Sequence, residues 1–144
     1  LLKSIVFGVY MYNDTEKNSC LAGRNNSCDC VSEKVLSCID ACLSKKAEDV
    51  VALDISGLTS IADYFIICSG ASEIQVRAIA DANEDVLDEV RRIDKKSPPC
   101  RREGTGKWVL VDGGDVIVHV FHEDIRKFYD IENLWADAKR LILE

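Results

Sequence analysis

Residues 107–122 constrain the fold more than any other stretch, because they contain two β-rich runs joined by the tetrapeptide Asp112-Gly113-Gly114-Asp115. Glycine accepts the positive φ angles that tight hairpin turns require, so the segment predicts an antiparallel β-hairpin. With Gly113 and Gly114 as the loop, the predicted pairs are Asp112 with Asp115, Val111 with Val116, Leu110 with Ile117, Val109 with Val118 and Trp108 with His119.

The predicted hairpin has two faces of different character, because alternate residues of a strand point to opposite sides. One face is entirely valine, which suits burial beneath a layer of helices. The other face mixes large apolar and ionisable groups, which a plain core avoids. We predict that this second face carries the function. The valine face consists of Val109, Val111, Val116, Val118 and Val120, and the mixed face of Trp108, Leu110, Asp112, Asp115, Ile117, His119 and Phe121.

The two aspartates beside the turn allow two interpretations. Like charges placed opposite each other repel unless backbone N–H groups or an outside cation offset them. Asp112 and Asp115 are therefore either turn-capping groups or half of a contact with a basic partner. Turn capping is favoured, since an aspartate beside glycine commonly bonds its own backbone.

Size and charge limit the classes of function. A chain of 144 residues with 47% hydrophobic content is enough for one domain. The net charge of −7 opposes direct binding to nucleic acid and favours a basic protein partner. No apolar run approaches the roughly 20 residues that span a bilayer, and the short apolar stretch at residues 5–11 lacks a clear cleavage pattern. We expect no membrane contact and no secretion.

Seven cysteines, an odd number, favour a reducing compartment over a closed disulfide framework. A metal-binding regulator that uses the N-terminal cysteines is one alternative function. It is disfavoured because the sequence contains no Cys-x-x-Cys pair and two of these cysteines have the spacing of one helix face. The cluster consists of Cys20, Cys28, Cys30, Cys38 and Cys42.

The order of predicted elements gives the fold class. Residues 1–30 show no period and predict a flexible extension, with Met11 as an alternative start. We predict an α/β fold: a single layered domain with a mixed four- or five-stranded sheet and flanking helices. The elements are a helix from Ser32, strands at 50–55 and 64–68, a long helix after a capping box of Ser72 and Gln75, an edge strand at 100–103, the hairpin, helical turns within 123–135 and a helical tail at 136–143.

The sequence gives only weak evidence for catalytic residues. Gly70, Ala71 and Ser72 lie between a strand and a helix N-terminus, where N–H groups can hold an anion, so a nucleotide-binding or nucleotidyltransferase-type enzyme is a second alternative. The segment matches no phosphate-binding motif, and a tight turn with a cap is favoured. His119 and His122 fall on opposite faces of a strand and form no chelating pair. We interpret His119 as a packed, hydrogen-bonded histidine, and we predict no catalytic residue, cofactor or metal.

Three segments resemble the ribosomal silencing factors, also called the Iojap family. They are residues 47–70 (AEDVVALDISGLTSIADYFIICSG), 106–121 (GKWVLVDGGDVIVHVF) and 126–135 (RKFYDIENLW). The resemblance extends through about residues 31–138 in family order and spacing, so we assign residues 31–144 to the family domain and leave residues 1–30 outside it. Gly113 stands where relatives often have a bulkier residue.

The resemblance implies a nucleotidyltransferase-like fold without the catalytic carboxylates. It also implies a monomer or weak homodimer that binds large-subunit ribosomal protein fourteen, sterically blocks joining of the small subunit and represses translation in nutrient limitation. Organellar relatives assist large-subunit assembly, so the implied location is the bacterial cytoplasm or an organellar matrix. Trp108 and Phe121 are predicted to anchor apolar contact, and the two aspartates to pair with Lys or Arg. The signature positions are Trp108, Asp112, Asp115, His119, Arg126 and Tyr129.

Overall fold

The computed structural model describes residues 33–141, which form an α/β domain with a single mixed sheet. The predicted extension at residues 1–30, with three of its cysteines, and the predicted N-cap Ser32 lie outside the described residues. The helices are α1 (Glu33–Ser44), α2 (Glu73–Ile93), α3 (Glu123–Tyr129) and α4 (Ile131–Leu134). The strands are β1 (Glu48–Asp54), β2 (Tyr64–Gly70), β3 (Arg101–Glu103), β4 (Trp108–Asp112), β5 (Val116–His122) and β6 (Lys139–Leu141).

The sheet has six strands in the order β3-β4-β5-β2-β1-β6, where the sequence predicted four or five. Strands β2 and β5 pair in parallel at the centre, and all other neighbours are antiparallel. The short strand β3 lies at one edge, as predicted. Its Arg102 binds two acids of α2, Asp81 and Glu84, and the distance to Glu84 is 3.1 Å. This ion-pair cluster holds the edge strand to the long helix.

Helices α1 and α2 cover the valine face of the hairpin and create the larger core. All five valines are buried, which confirms the predicted core face. The central strand β2 contributes Ile66 and Cys68 to this core, while α2 contributes Val76 and Ile79 at helical spacing. Burying a valine or leucine side chain contributes roughly 1.5–3 kcal/mol, so this layer dominates the stability of the domain.

The predicted hairpin register is wrong by two residues. Asp112 pairs with Ile117 and Trp108 with Phe121, and the carbonyl of Val116, the first residue of β5, accepts a hydrogen bond from Gly113 N at 2.8 Å. The carbonyl of Asp115 is drawn instead to the start of β2, where two backbone N–H groups donate to it at 2.8 and 3.0 Å. A shift of two residues preserves the alternation of side chains, so both predicted faces keep their members within β4 and β5. Asp115 is the exception, because it lies between the two strands and pairs with Lys34 of α1.

The start of α2 follows the predicted capping box. Ser72 Oγ accepts a hydrogen bond from Gln75 N at 3.1 Å, and Gln75 Oε1 reaches back to accept from Ala71 N at 2.7 Å. The other end of the Gln75 amide donates to the carbonyls of Lys45 and Lys46, at the end of α1. One side chain thus caps α2 and also ties the two helices together.

The helical tail predicted at 136–143 is wrong within the described residues. Lys139, Arg140 and Leu141 form β6, which pairs with Asp54, Leu53 and Ala52 of β1 in antiparallel orientation. Without β6, the backbone groups of β1 on that side would have no partner in the sheet, and burial of unpaired backbone groups is costly. Tertiary pairing therefore overrides the helical pattern of the tail.

Gly114→Ala is expected to destabilise the domain by roughly 1–3 kcal/mol. Gly114 has a φ of +90°, and an added Cβ would overlap the ring of Pro98. Chemical denaturation would measure the loss. Gly57→Ala is the matched control, because an added Cβ there meets nothing within 4 Å. Equal stability of the two variants would contradict the turn geometry.

Candidate functional site

The mixed face of the hairpin is largely covered, in contrast to the prediction that it is the functional surface. Residues 123–138 fold back over it and pack Ile125, Ile131 and Trp135 against a second hydrophobic cluster. Ile117, His119 and Phe121 are buried in this cluster, and Leu110 is half-buried at its border. In this conformation the three buried side chains are unavailable to a partner, so the anchoring role predicted for Phe121 is corrected to a core role.

His119 is enclosed by aromatic rings. Its ring centroid lies 4.8 Å from Phe65 and 6.2 Å from both Trp108 and Phe121. The histidine is packed, as predicted, but neither ring nitrogen has a hydrogen-bond partner among the described residues. Burial lowers the pKa of His119 to about 4, because the cluster desolvates the charged form. The imidazole is therefore neutral at pH 7.

Three aromatic residues form a surface where β4 begins and α3 ends. Trp108 is half-buried and its ring lies 4.9 Å from Phe121 beneath it and 4.6 Å from Tyr129 beside it. Phe128 packs edge-on against Tyr129 at 5.2 Å. Phe128 is 79% exposed and Tyr129 45% exposed. We call Trp108, Phe128 and Tyr129 the aromatic surface. Aromatic side chains exposed together are typical of protein interfaces.

Acidic residues lie at both ends of α3, the helix that carries Phe128 and Tyr129. Glu123 and Asp124 occupy the first turn of α3, and Asp130 follows its last residue with a left-handed φ of 45°. All three are exposed. His122 Nδ1 accepts a hydrogen bond from Asp124 N at 3.2 Å and so caps the helix. An apolar patch beside exposed carboxylates suits a partner that presents Lys or Arg around an apolar centre.

Arg126, a predicted contact residue, has partners inside the domain. Its guanidinium donates to Ser69 Oγ at 2.8 Å and to Glu132 Oε1 at 2.7 Å. Glu132 also pairs with Arg140 at 3.2 Å. These bonds link α3 to β2, α4 and β6, so Arg126 holds the aromatic surface in place without being part of it.

The two aspartates lie at the opposite end of β4 from Trp108. Asp112 accepts a hydrogen bond from Gly114 N at 2.8 Å, which confirms the favoured turn-capping interpretation for this aspartate alone. Asp115 forms a 2.6 Å ion pair with Lys34 of α1, whose ammonium also donates to Gly113 O at 2.7 Å. The structure therefore separates the predicted contact residues into two groups, and only Trp108 and Tyr129 of that set lie at the aromatic surface.

Sequence reasoning missed Phe128, which lies within the predicted helical turns at 123–135 and was not singled out. Local sequence gave no decisive signal, because the apolar stripe of a helix is wide enough for adjacent residues to be buried together, as Val35 and Leu36 are in α1.

The turn at residues 70–72 uses its hydrogen-bonding groups internally. The N–H groups of Ala71 and Gln75 donate to side chains of the capping box, so they are not directed at a ligand. Strands β4 and β5 contain one acidic residue, Asp112, and it caps the turn. Within residues 33–141, no group of three or more His, Cys, Asp or Glu side chains has the geometry to hold a metal ion. In the same range, no helix is long and apolar enough to cross a membrane.

Comparison with known proteins finds one family over most of the chain. Residues 29–144 match the family model described as "Ribosomal silencing factor during starvation". Ribosomal silencing factor RsfS of Bacillus subtilis is 51% identical over 100 residues, covering 68% of this chain and 80% of the relative. The same-named protein of Halalkalibacterium halodurans is 49% identical over 108 residues, covering 74% and 88%. The chloroplastic protein Iojap of Zea mays is 30% identical over 114 residues, covering 79% and 48%.

Two solved structures share the fold. A protein from Bacillus halodurans, 41% identical, covers 77% of this chain and 98% of its own with a TM-score of 0.64. A protein from Chromobacterium violaceum, 38% identical, covers 72% and 84% with the same TM-score.

Proposed function

This chain belongs to the ribosomal silencing factor family, and from that premise we propose that it binds large-subunit ribosomal protein fourteen and sterically prevents the small subunit from joining. Binding of this kind represses translation, and we assign the repression to nutrient limitation. The relatives' names indicate a regulatory role. The proposed site of action is the cytoplasm of a bacterium or, for an organellar member, the organellar matrix.

The observation that carries the proposed contact is the aromatic surface on an acidic protein. Two of its three rings are exposed and lie side by side, and adjacent exposed aromatic groups are typical of a protein interface. The neighbouring carboxylates and the net charge of −7 favour a basic protein such as a ribosomal component. We therefore place the contact at Trp108, Phe128 and Tyr129, with Glu123, Asp124 and Asp130 facing basic side chains of the partner.

The remaining predicted contact residues take lesser roles in this proposal. Asp112 and Arg126 are engaged in bonds that hold the turn and α3. Asp115 retains an exposed carboxylate but already pairs with Lys34. We propose that these residues shape the surface indirectly.

The proposed mechanism depends on the volume of the bound domain and involves no chemical reaction. A domain of about 100 residues has a radius of gyration of about 13 Å. A body of that size on the joining face of one subunit leaves no room for close approach of the other. We propose that the chain acts as a monomer or weak homodimer without catalytic activity, and that a nucleotide with Mg²⁺ leaves its melting temperature unchanged.

Phe128→Ala is expected to weaken binding to purified ribosomal protein fourteen at least about thirtyfold. Truncating a central aromatic of an interface typically costs on the order of 2 kcal/mol or more. Isothermal titration would measure the affinity. Ile93→Ala is the control, because Ile93 is a similarly exposed apolar residue at the far end of α2. Wild-type affinity of a folded Phe128→Ala protein would move the contact elsewhere.

A further inference from the structure

A pair of buried thiols lies where α1, α2 and β2 meet, remote from the aromatic surface. Cys42 of α1 and Cys68 of β2 have their sulfur atoms 3.8 Å apart, and both side chains are fully buried. Asn83 of α2 donates a hydrogen bond from Nδ2 to Cys42 Sγ at 3.2 Å and another to Ile79 O at 2.9 Å. The amide thus fixes one sulfur in position beside the other.

We infer that Cys42 and Cys68 form an oxidation site at which a hydroperoxide converts the two thiols into a disulfide joining α1 to β2. A disulfide needs an S–S distance of about 2 Å, so the sulfur atoms must approach each other by somewhat less than 2 Å. Each side chain lies in direct contact with the other, and no third residue separates them.

The hydrogen bonds at the two sulfur atoms shift the pKa of their thiols in opposite directions. Hydrogen bonds from the Cys68 thiol and the Asn83 amide lower the pKa of the Cys42 thiol, against the opposing effect of burial. The pKa of the Cys68 thiol is raised well above its usual range, because it donates to Cys42 and is itself buried. We assign Cys42 as the attacking sulfur, because two hydrogen-bond donors, the Cys68 thiol at 3.8 Å and Asn83 Nδ2 at 3.2 Å, point at it and favour its thiolate, the reactive form.

The reaction balances with hydrogen peroxide as the oxidant. The Cys42 sulfur attacks one peroxide oxygen, the O–O bond breaks, and the products are a sulfenic acid and one water. The Cys68 sulfur then attacks the sulfenic sulfur, the S–O bond breaks, and a second water leaves. Two electrons pass from the sulfur pair to the peroxide, and both thiol protons end in water. The product fixes α1 to the sheet, and with it Lys34, which holds the hairpin loop.

The other cysteines of the described part provide internal controls. Cys38 lies one helical turn before Cys42 and is also buried, and burial raises the pKa of its thiol beyond the usual range. Cys100 is half-buried, and burial with nearby acidic groups raises the pKa of its thiol to about 11. Among residues 33–141, no cysteine thiol donates a hydrogen bond to Cys38 or Cys100 as Cys68 does to Cys42.

Peroxide treatment of the reduced full-length protein, followed by non-reducing trypsin digestion and mass spectrometry, tests the inference. We expect residues 35–45 and 47–77 to be recovered as one cross-linked species that has lost two hydrogen atoms and separates on reduction. Because Cys38 and Cys42 share a tryptic peptide, the same species must form in Cys38→Ser and in Cys100→Ser but not in Cys42→Ser. Thermal melting of the oxidised wild type should shift upward and return after reduction.

Two results would overturn the inference. One is that Cys42 and Cys68 can both still be alkylated when the peroxide-treated protein is denatured, although Cys100 has been oxidised. The other is a cross-link of Cys68 to Cys38. If Cys42→Ser fails to fold, the wild-type, Cys38→Ser and Cys100→Ser digests still decide between the outcomes.

Discussion

The stability of the domain is expected to fall by roughly 3 kcal/mol more in the wild type than in His119→Phe as the pH is lowered from about 7 to about 4. Burial depresses the pKa of His119 from 6.5 to about 4. In that range the unfolded chain binds a proton at His119 that the folded chain does not. The contribution of His119 is therefore fully present above pH 6.5 and is lost as the pH falls toward 4.

Urea denaturation at a series of pH values would measure this difference. His119→Phe is the reference because the carboxylates of both proteins titrate over the same pH range, so their effect on stability cancels in the comparison. A phenyl ring also suits a pocket lined by Phe65, Trp108 and Phe121. Parallel stability curves for the two proteins would show that His119 is solvated, and the closed second cluster would then be incorrect.

Phe121→Ala is expected to lower the free energy of unfolding by about 3–5 kcal/mol, the usual cost of removing a buried phenyl ring. Phe121 is 1% exposed and lies under Trp108. Phe128→Ala is a matched control with the same chemical change at an exposed position, and its stability should stay within about 0.5 kcal/mol of the wild type. Thermal and chemical denaturation measure both.

The two phenylalanines also separate the core from the interface. We expect Phe128→Ala to weaken partner binding without loss of stability and Phe121→Ala to lose stability first. A stable Phe121→Ala protein with weakened binding would restore Phe121 as a contact residue and require residues 123–138 to move away from the hairpin.

The hairpin illustrates how much of the fold could be predicted from sequence. The alternation of valines identified the buried face, because a strand's period of two does not depend on its partner. The pairing depended on the loop, and the Asp115 carbonyl is bound by the start of β2, which no local pattern reveals. The faces were therefore predicted correctly within the two strands, whereas the register and the position of Asp115 were not.

In the tail and at the candidate functional site, too, long-range contacts decide features of the structure that local sequence patterns do not reveal. Residues 139–141 have a helical pattern, yet they pair with β1, more than 80 residues earlier. The mixed face was identified as distinct from the valine face, but its cover comes from Ile125, Ile131 and Trp135, and a left-handed turn at Asp130 separates Ile125 from the other two. Exposure of Phe128 followed from this packing and could not be assigned beforehand.

Sedimentation of the protein with purified large and small ribosomal subunits tests the central claim most directly. The account predicts that the protein travels with the large subunit and not with the small one, and that large subunits loaded with it no longer associate with small subunits. Phe128→Ala should remain largely at the top of the gradient, and Ile93→Ala should behave like the wild type. Failure of the folded wild-type protein to travel with the large subunit, or normal joining of loaded subunits, would contradict the account.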